Sequence, residues 1–247
     1  MYFGEYWYDN GGLPSILANY LQTHKLNAFD YLDKDNLINV PTNDFINPTS
    51  LTSINQNVLM CQTGYLTLRS EVKVLKSRIY LGIPKGEIHK AITHLLALRV
   101  FNNDLNVDNE KGENLFEIGS FEDIITLLNS IMHSVPYDNY PILSEAAVQN
   151  SIRLYLAGAG MEAKSEVLEA KGRADLILET DNRRIVFELK FAQNDDEAKI
   201  KLKEAVEQIK SRDYGNILPV KKEHIRIAAV FNADPKVRAF KEFENVM

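Results

Sequence analysis

The stretch from Gly172 to Lys190 constrains the fold more than any other part of this 247-residue chain. It reads GRADLILETDNRRIVFELK, with an apolar run on each side of the polar turn at 181–183. Apolar runs separated by a short polar turn are typical of a β-hairpin. Glu188 and Lys190 interrupt the second run, where a charge is costly to bury unless it is paired or bound to metal. The stretch therefore predicts a hairpin whose second strand carries two charged groups among apolar neighbours.

The predicted hairpin brings a further acidic residue, Asp175, to these charges. Side chains alternate along a strand, and residues directly opposite each other point to the same side of the sheet. A two-residue turn at 181–182 places Asp175 opposite Glu188, and one at 182–183 places it opposite Lys190. In either register, two carboxylates and an ammonium form one cluster. A three-residue turn would break the cluster.

This cluster has two interpretations. Two acidic groups at one point form a site suited to a hard cation such as Mg²⁺, and the lysine is then placed to polarise a water or hold a phosphate oxygen. Alternatively, the hairpin is amphipathic and carries a cross-strand salt bridge on a solvated face. Geometry alone favours neither interpretation.

The same residues resemble the signature of a known family. Gly-Arg-Ala-Asp175, a strand, a turn and Phe-Glu188-Leu-Lys190 are similar to the motif of the PD-(D/E)XK nuclease superfamily. More narrowly, they resemble the nuclease domain that ends many bacterial AAA-ATPase-like proteins. The runs 62–68 (QTGYLTL) and 80–84 (YLGIP) resemble the segment between the ATPase and nuclease parts of that family.

The resemblance implies an α/β fold with a restriction-endonuclease-like α-β-β-β-α-β core. It also implies that Asp175 and Glu188 ligate Mg²⁺ or Mn²⁺, that the Leu189 carbonyl is a possible third ligand, and that Lys190 serves the attacking water. Glu145, on the leading helix, matches a glutamate that faces the metal site in the superfamily. The helix dipole, which favours a first-turn glutamate, also explains Glu145 without any catalytic role.

Further along the chain, Gln208, Lys210 and Tyr214 match residues that help order the site in the resembled family. The region around them is locally basic, although the whole chain has a net charge of −6. A charge run is usually a solvated face, but here it lies beside the predicted site and can hold phosphates. The predicted contacts to nucleic acid are Arg173, Lys199, Lys203, Lys210, Arg212 and Tyr214.

The segment 134–141 (SVPYDNYP) is rich in turn-forming residues and predicts a domain boundary. Residues 1–135 form the predicted helical and winged-helix-like region, with a helix towards Met60, strands at 64–68 and 72–81, and a helix to Phe101. Residues 136–247 form the predicted nuclease-like domain. We also expect a loop or linker over 102–119 and a short helix over 237–243.

Several function classes are excluded or disfavoured. No G-x-x-x-x-G-K-[S/T] phosphate loop is present, so we predict no ATP hydrolysis by this chain.

We expect DNA as the partner, and possible binding of a separate ATPase or another protein through the N-terminal region. The single cysteine, Cys61, allows no internal disulfide and suits a cytoplasmic protein. No apolar run approaches the ~20 residues of a membrane span, and the sequence leaves a dimer possible.

These observations predict a Mg²⁺-dependent endo- or exodeoxyribonuclease that hydrolyses DNA phosphodiester bonds. The alternative is a catalytically silent module that keeps the nuclease fold and binds nucleic acid or protein. The intact matched residues favour the enzyme. The acidic net charge and the absence of an ATPase core favour the silent module.

Overall fold

A computed structural model describes residues 17, 20, 24, 27–47, 50, 53–69, 77–101, 109–169, 172–212, 214 and 222–246, without the side chains of 109–113 and 168–169. The chain forms two compact units, residues 1–93 and 94–247. The domain boundary predicted between residues 135 and 136 stays a prediction. None of the helices in the described ranges has the length and apolar character that crossing a membrane requires.

The first unit contains a small antiparallel sheet and short helices. Its elements are a 3-10 helix (Ala28–Tyr31), β1 (Ile38–Pro41), α1 (Thr42–Ile46), α2 (Gln56–Gln62), β2 (Thr67–Leu68), β3 (Arg78–Gly82) and the start of α3 (Gly86–Val100). The strand order is β1-β3-β2. The order α2-β2-β3-α3 agrees with the prediction, although residues 70–76 of the predicted second strand lie outside the described residues. The winged-helix assignment stays a prediction.

The second unit is built on a five-stranded sheet. Its elements are α4 (Asn109–Ile118), α5 (Phe121–Ser134), α6 (Glu145–Gly158), β4 (Ala163–Glu169), β5 (Gly172–Glu179), β6 (Arg183–Ala192), α7 (Asp195–Arg212), β7 (Glu223–Asn232) and β8 (Ala239–Asn245). The strand order is β4-β5-β6-β7-β8, with β6 and β7 parallel and the other pairs antiparallel. The predicted α-β-β-β-α-β order is confirmed as α6-β4-β5-β6-α7-β7.

Both faces of this sheet are covered because its central strands are apolar on each side. Ala205 and Ile209 of α7 pack in one cluster with Val186 and Ala228. Side chains next to Val186 in β6 point to the opposite face, and there Phe187 is fully buried as well. The parallel pairing of β6 with β7 sets the carboxyl ends of both strands at one edge of the sheet.

Two predicted segments are wrong. Residues 109–118 of the expected loop form α4, which buries Phe116 completely and whose Glu117 carboxylate accepts a hydrogen bond from the backbone N–H of Asn182. Residues 239–243 of the helix expected at 237–243 are instead part of β8, which pairs with β7 and buries Phe240. In each case the element contacts a part of the chain that is distant in sequence, Asn182 for α4 and β7 for β8.

Candidate active site

The β5–β6 turn selects one of the two predicted registers. The backbone N–H of Thr180 donates to the carbonyl of Arg183 at 2.9 Å, which closes a two-residue turn at 181–182. The paired residues run from Glu179↔Arg184 to Leu176↔Phe187. Continuing this register by one residue sets Asp175 opposite Glu188, as the first of the two turns predicts.

The charged cluster lies where the pairing of β5 with β6 ends. Beyond Leu176↔Phe187, the Asp175 carboxylate accepts a hydrogen bond from the backbone N–H of Leu189, with Oδ2 2.8 Å from the nitrogen. A side chain thus replaces a strand carbonyl as the partner of this N–H group. The result is a fork between the two strands, with the carboxylate of Asp175 inside it.

Lys190 joins three carboxylates at this fork. Its Nζ lies 2.6 Å from Oε1 of Glu188, 3.7 Å from Oε1 of Glu145 and 3.9 Å from Oδ2 of Asp175. Glu145 arrives from a different element, because Ser144 caps the start of α6 by accepting from the backbone N–H of Ala147. The structure therefore brings together four of the five residues that the sequence predicts as catalytic.

Burial dominates the electrostatics of this cluster. Glu188 is 0% exposed and Asp175 is 7% exposed. Burial raises the pKa of Glu188 to about 7, and the charge of Asp175 adds to this shift. Burial also raises the pKa of Asp175 to about 6, although Lys190 and the Leu189 N–H act in the opposite direction. Both carboxyl groups therefore ionise less readily than they do in water.

The cluster favours the charged form of the lysine, whereas it favours the neutral form of the two carboxyl groups. Burial by itself lowers the pKa of Lys190, but the hydrogen bond and charge of Glu188, with Asp175 and Glu145, raise the pKa above its usual value. The two shifts are compatible because one ammonium faces three carboxylates, so the lysine gains more from the cluster than each carboxylate gains from the lysine. The cluster keeps an excess of acidic groups.

The donor set fits a divalent cation. Oε2 of Glu188 is buried and has no hydrogen-bond partner within the described ranges. A buried oxygen of this kind requires a partner, and a hard cation is the partner that carboxylate oxygens prefer. Among the described residues, no group of three or more His, Cys, Asp and Glu side chains has the spacing of a metal site. Two protein carboxylates, here Asp175 and Glu188, would suit Mg²⁺, which usually keeps several waters.

A second group of predicted residues surrounds Tyr214, which is completely buried. Its hydroxyl donates to the backbone carbonyl of Arg173 and accepts from Nη1 of Arg212 at 2.8 Å and Nε2 of Gln208 at 3.3 Å. Gln208 is thus hydrogen-bonded to Tyr214, and the connection to the carboxylates runs through the start of β5. The resemblance implied that Gln208, Lys210 and Tyr214 help order the site. The structure joins Gln208 to Tyr214, whereas Lys210 lines a cavity of α7 and β8.

Arg212 also interacts electrostatically with the carboxylate cluster. Its hydrogen bond with Tyr214 raises its pKa, and the charges of Glu188 and Asp175 add to the shift. The guanidinium therefore lies within electrostatic range of both buried carboxylates.

The remaining predicted nucleic-acid contacts lie elsewhere. Lys199, Lys203 and Lys210 line a cavity of about 820 Å³ formed by α7 and β8. Three glutamates line the same cavity, namely Glu207, Glu242 and Glu244. The structure does not bring these three lysines to the carboxylate cluster.

Glu166 is a neighbour of the site that the sequence did not predict. Its charge raises the pKa of Asp175, and its Oε2 lies 3.3 Å from Nη1 of Arg173. Glu166 lies on β4 and becomes a neighbour of Asp175 only through the strand pairing. The alternating pattern of β4 was the available signal, but it gave no register against β5.

The family comparison agrees with this geometry. The family model described as the PD-(D/E)XK nuclease superfamily matches residues 143–241. The comparison with curated proteins found no match to the chain. The matched segment contains the whole of α6-β4-β5-β6-α7-β7 and every member of the carboxylate cluster. Residues 143–241 of this chain form a domain of the PD-(D/E)XK nuclease superfamily.

Proposed function

We propose that this chain is a divalent-metal-dependent nuclease that hydrolyses DNA phosphodiester bonds with Mg²⁺ or Mn²⁺. The superfamily generally consists of metal-dependent nucleases, and its nucleic-acid substrates suit the basic residues near the fork. The observation that carries the proposal is Glu188, a completely buried carboxylate with one oxygen on Lys190 and the other without a hydrogen-bond partner in the described part of the chain.

Asp175 and Glu188 would hold the cation in this proposal, with the Leu189 carbonyl as the proposed third protein ligand. A bound divalent cation lowers the pKa of a bound water and offsets negative charge on the phosphate. The hydrogen bond from the Leu189 N–H holds the Asp175 carboxylate in the fork without occupying both of its oxygens. Removing either carboxylate should therefore strongly reduce cation binding and DNA cleavage.

Lys190 would orient the attacking water and offset charge on the pentavalent phosphate. Its pKa is raised, so at neutral pH the side chain is an ammonium that donates hydrogen bonds. We therefore assign it electrostatic and orienting work in the proposal, with no role as a base. Glu145, at the start of α6, would hold the ammonium in the fork from the other side.

A specific observation favours the alternative, a catalytically silent nuclease-fold module. The Lys190 ammonium contacts all three carboxylates, so the cluster is partly neutralised from within. A cluster of this kind can persist without any catalytic role, because removing one partner of a buried ion pair leaves an uncompensated charge. Such a module would bind nucleic acid or protein through its surface and would need no cation.

A plasmid-nicking assay with Mg²⁺ or Mn²⁺ separates the two functions. We expect nicking by the wild type and a loss of at least about 100-fold in Asp175→Ala and Lys190→Ala, since each removes a group that acts on the reacting phosphate or its water. Lys201→Ala is the matched control, because Lys201 pairs with Glu204 on the surface of α7. Equal nicking by all four proteins would indicate a contaminant, and no nicking by any would favour the silent module.

A further inference from the structure

The strand opposite Asp175 contains a backbone outlier. Glu166, in β4, has φ of +52°, and the other non-glycine residue with positive φ in the described part is Arg238. This left-handed conformation is uncommon for residues other than Gly, Asn and Asp, and it is rarer still inside a strand. A residue held in it indicates that the surrounding structure requires the conformation.

The outlier coincides with a gap in the β4–β5 ladder. Ser165 pairs with Leu176 and Val167 pairs with Ala174, in one continuous register. Glu166 and Asp175 lie between these pairs, and the ladder is interrupted there. The conformation of Glu166 and the freedom of Asp175 from the ladder therefore occur at the same point.

The alternation of side chains in β5 also reverses at this point. Ala174 and Ile177 pack in the same hydrophobic cluster with Val186, and Val167 of β4 packs against it. In a regular strand, residues three positions apart point to opposite faces. The reversal therefore falls between Ala174 and Ile177, where Asp175 lies.

We propose that Glu166 is a positioning residue whose left-handed backbone reverses the strand pair opposite Asp175 and so directs the Asp175 carboxylate into the fork with Lys190. The hydrogen bond from the Leu189 N–H to Asp175, 2.8 Å long, is the result of this placement. A regular strand at Glu166 would pair Asp175 with Glu166 in the β4–β5 ladder and would leave its carboxylate on the face of Glu188, out of reach of the Leu189 N–H. The catalytic consequence rests on the proposed function, but the placement itself does not.

The backbone of Glu166, and not its charge, carries this role. The carboxylate forms an ion pair with Arg173, and both side chains are more than half exposed. Exposed ion pairs of this kind contribute little to stability. Replacing the side chain should therefore be tolerated wherever the replacement accepts a positive φ.

A series of substitutions at Glu166 tests the proposal. Gly and Asn accept the left-handed region, Ala accepts it less readily, and the β-branched Val resists it. The variants are Glu166→Gly, Glu166→Asn, Glu166→Ala and Glu166→Val. Lys164→Val, at an exposed and regularly paired position of the same strand, is the control for a β-branched substitution.

Two quantities are measured for each variant. They are the hydrogen-exchange rate of the Leu189 amide, by NMR, and the affinity for Mn²⁺, by calorimetry. We expect Gly and Asn to keep the Leu189 amide protected and to bind Mn²⁺ within about 3-fold of the wild type. We expect Val to speed Leu189 exchange and to weaken Mn²⁺ binding by about 10-fold or more, with Ala between them and Lys164→Val unchanged.

Either of two results would overturn the proposal. Wild-type protection of Leu189 in folded Glu166→Val would show that the backbone conformation is not required. Loss of protection in Gly and Asn would assign the effect to the carboxylate. If Val does not fold, the graded comparison of Gly, Asn and Ala decides. Because Leu189 exchange requires neither metal nor substrate, it remains decisive even if the chain cleaves no DNA.

Discussion

The ammonium of Lys190 lies 2.6 Å from Oε1 of Glu188, and the Glu188 side chain is completely buried. This contact is between residues two positions apart on one strand, which lie on the same face. Asp175 adds a second carboxylate to that face at the point where β5 leaves β6. The buried charges lie together because the turn sets the register and the fork leaves room for them.

Removing the ammonium of Lys190 should destabilise the protein by an amount that depends on pH. Lys190→Met keeps the length of the side chain but leaves the Glu188 carboxylate buried without its ammonium partner. Breaking a buried pair costs about 3–5 kcal/mol when the remaining charge stays ionised. We therefore expect a large drop in the free energy of unfolding at about pH 8 and a smaller one at about pH 5, where Glu188 is protonated. Urea denaturation at both values measures this, and an equal drop at the two values would contradict it.

The wild-type protein without metal should lose stability as pH rises from about 4 to 7. The pKa values of Asp175 and Glu188 are raised to about 6 and about 7, so in this window the folded state binds more protons than the unfolded state. Stability is therefore greatest below the unfolded pKa values and falls as pH passes through the folded ones, by an amount on the order of a few kcal/mol.

The double variant Asp175→Asn, Glu188→Gln is the control for this pH dependence, because its side chains do not titrate. Its unfolding free energy, measured in urea across the same range with EDTA present, should vary less with pH than that of the wild type. Parallel curves for the two proteins would show that other groups produce the dependence.

Mn²⁺ affinity should rise with pH through the same window. Carboxylates must be deprotonated to bind a cation, and these two hold their protons to about pH 6 and about pH 7. Between about pH 5.5 and pH 8 we expect the affinity to increase by at least about 10-fold, with protons released on binding. Calorimetry in buffers of different ionisation enthalpy measures both quantities, and an affinity independent of pH would argue against these ligands.

The Tyr214 hydroxyl should contribute to stability more than an ordinary surface hydroxyl. It is completely buried and bonds the Arg173 carbonyl, Arg212 and Gln208. Tyr214→Phe leaves these groups with an unmet partner, so we expect a loss of about 1–3 kcal/mol in the free energy of unfolding. Tyr137→Phe, at a side chain that is 52% exposed, is the control and should be nearly neutral. Equal effects in urea denaturation would contradict this account.

DNA binding should depend more on the arginines near the fork than on the lysines of the α7–β8 cavity. Arg212 is within electrostatic range of the carboxylate cluster, whereas the cavity lysines share their surroundings with three glutamates. We expect Arg173→Gln and Arg212→Gln each to weaken binding and to reduce the salt slope by about 1.

The comparison protein is the triple variant Lys199→Gln, Lys203→Gln, Lys210→Gln, measured by salt titration of DNA binding with EDTA present. A salt slope that changes by less than about 1 would support the distinction. A slope reduced by about 3 would instead make the cavity the path of the phosphates.

The carboxylate cluster could be predicted because its geometry depends on short-range rules. Alternation fixes which residues of β6 share a face, and the Asp181-Asn182 turn fixes the register against β5. The sequence left two registers open, since both turns are short and polar. The closing hydrogen bond from Thr180 to Arg183 selects one of them in the structure.

What the sequence did not predict depends on partners distant in the chain. The strand β8 forms because it can pair with the edge of β7, and α4 buries Phe116, the one fully buried side chain among residues 114–118. Gln208 lies just off the buried stripe of α7, and only the position of Tyr214 shows which group it bonds. The left-handed conformation of Glu166 has no local signal, because glutamate rarely adopts it.

The central claim is that the carboxylate cluster binds a divalent cation. A calorimetric titration of the wild type and of Glu188→Gln with Mn²⁺ at about pH 8 tests it most directly. This substitution keeps the volume of the side chain and its ability to accept from Lys190, while it removes the charge that a cation requires. We expect saturable binding of Mn²⁺ to the wild type and a loss of at least about 10-fold in affinity in Glu188→Gln. Equal binding by the two proteins would contradict the assignment of this cluster as a metal site.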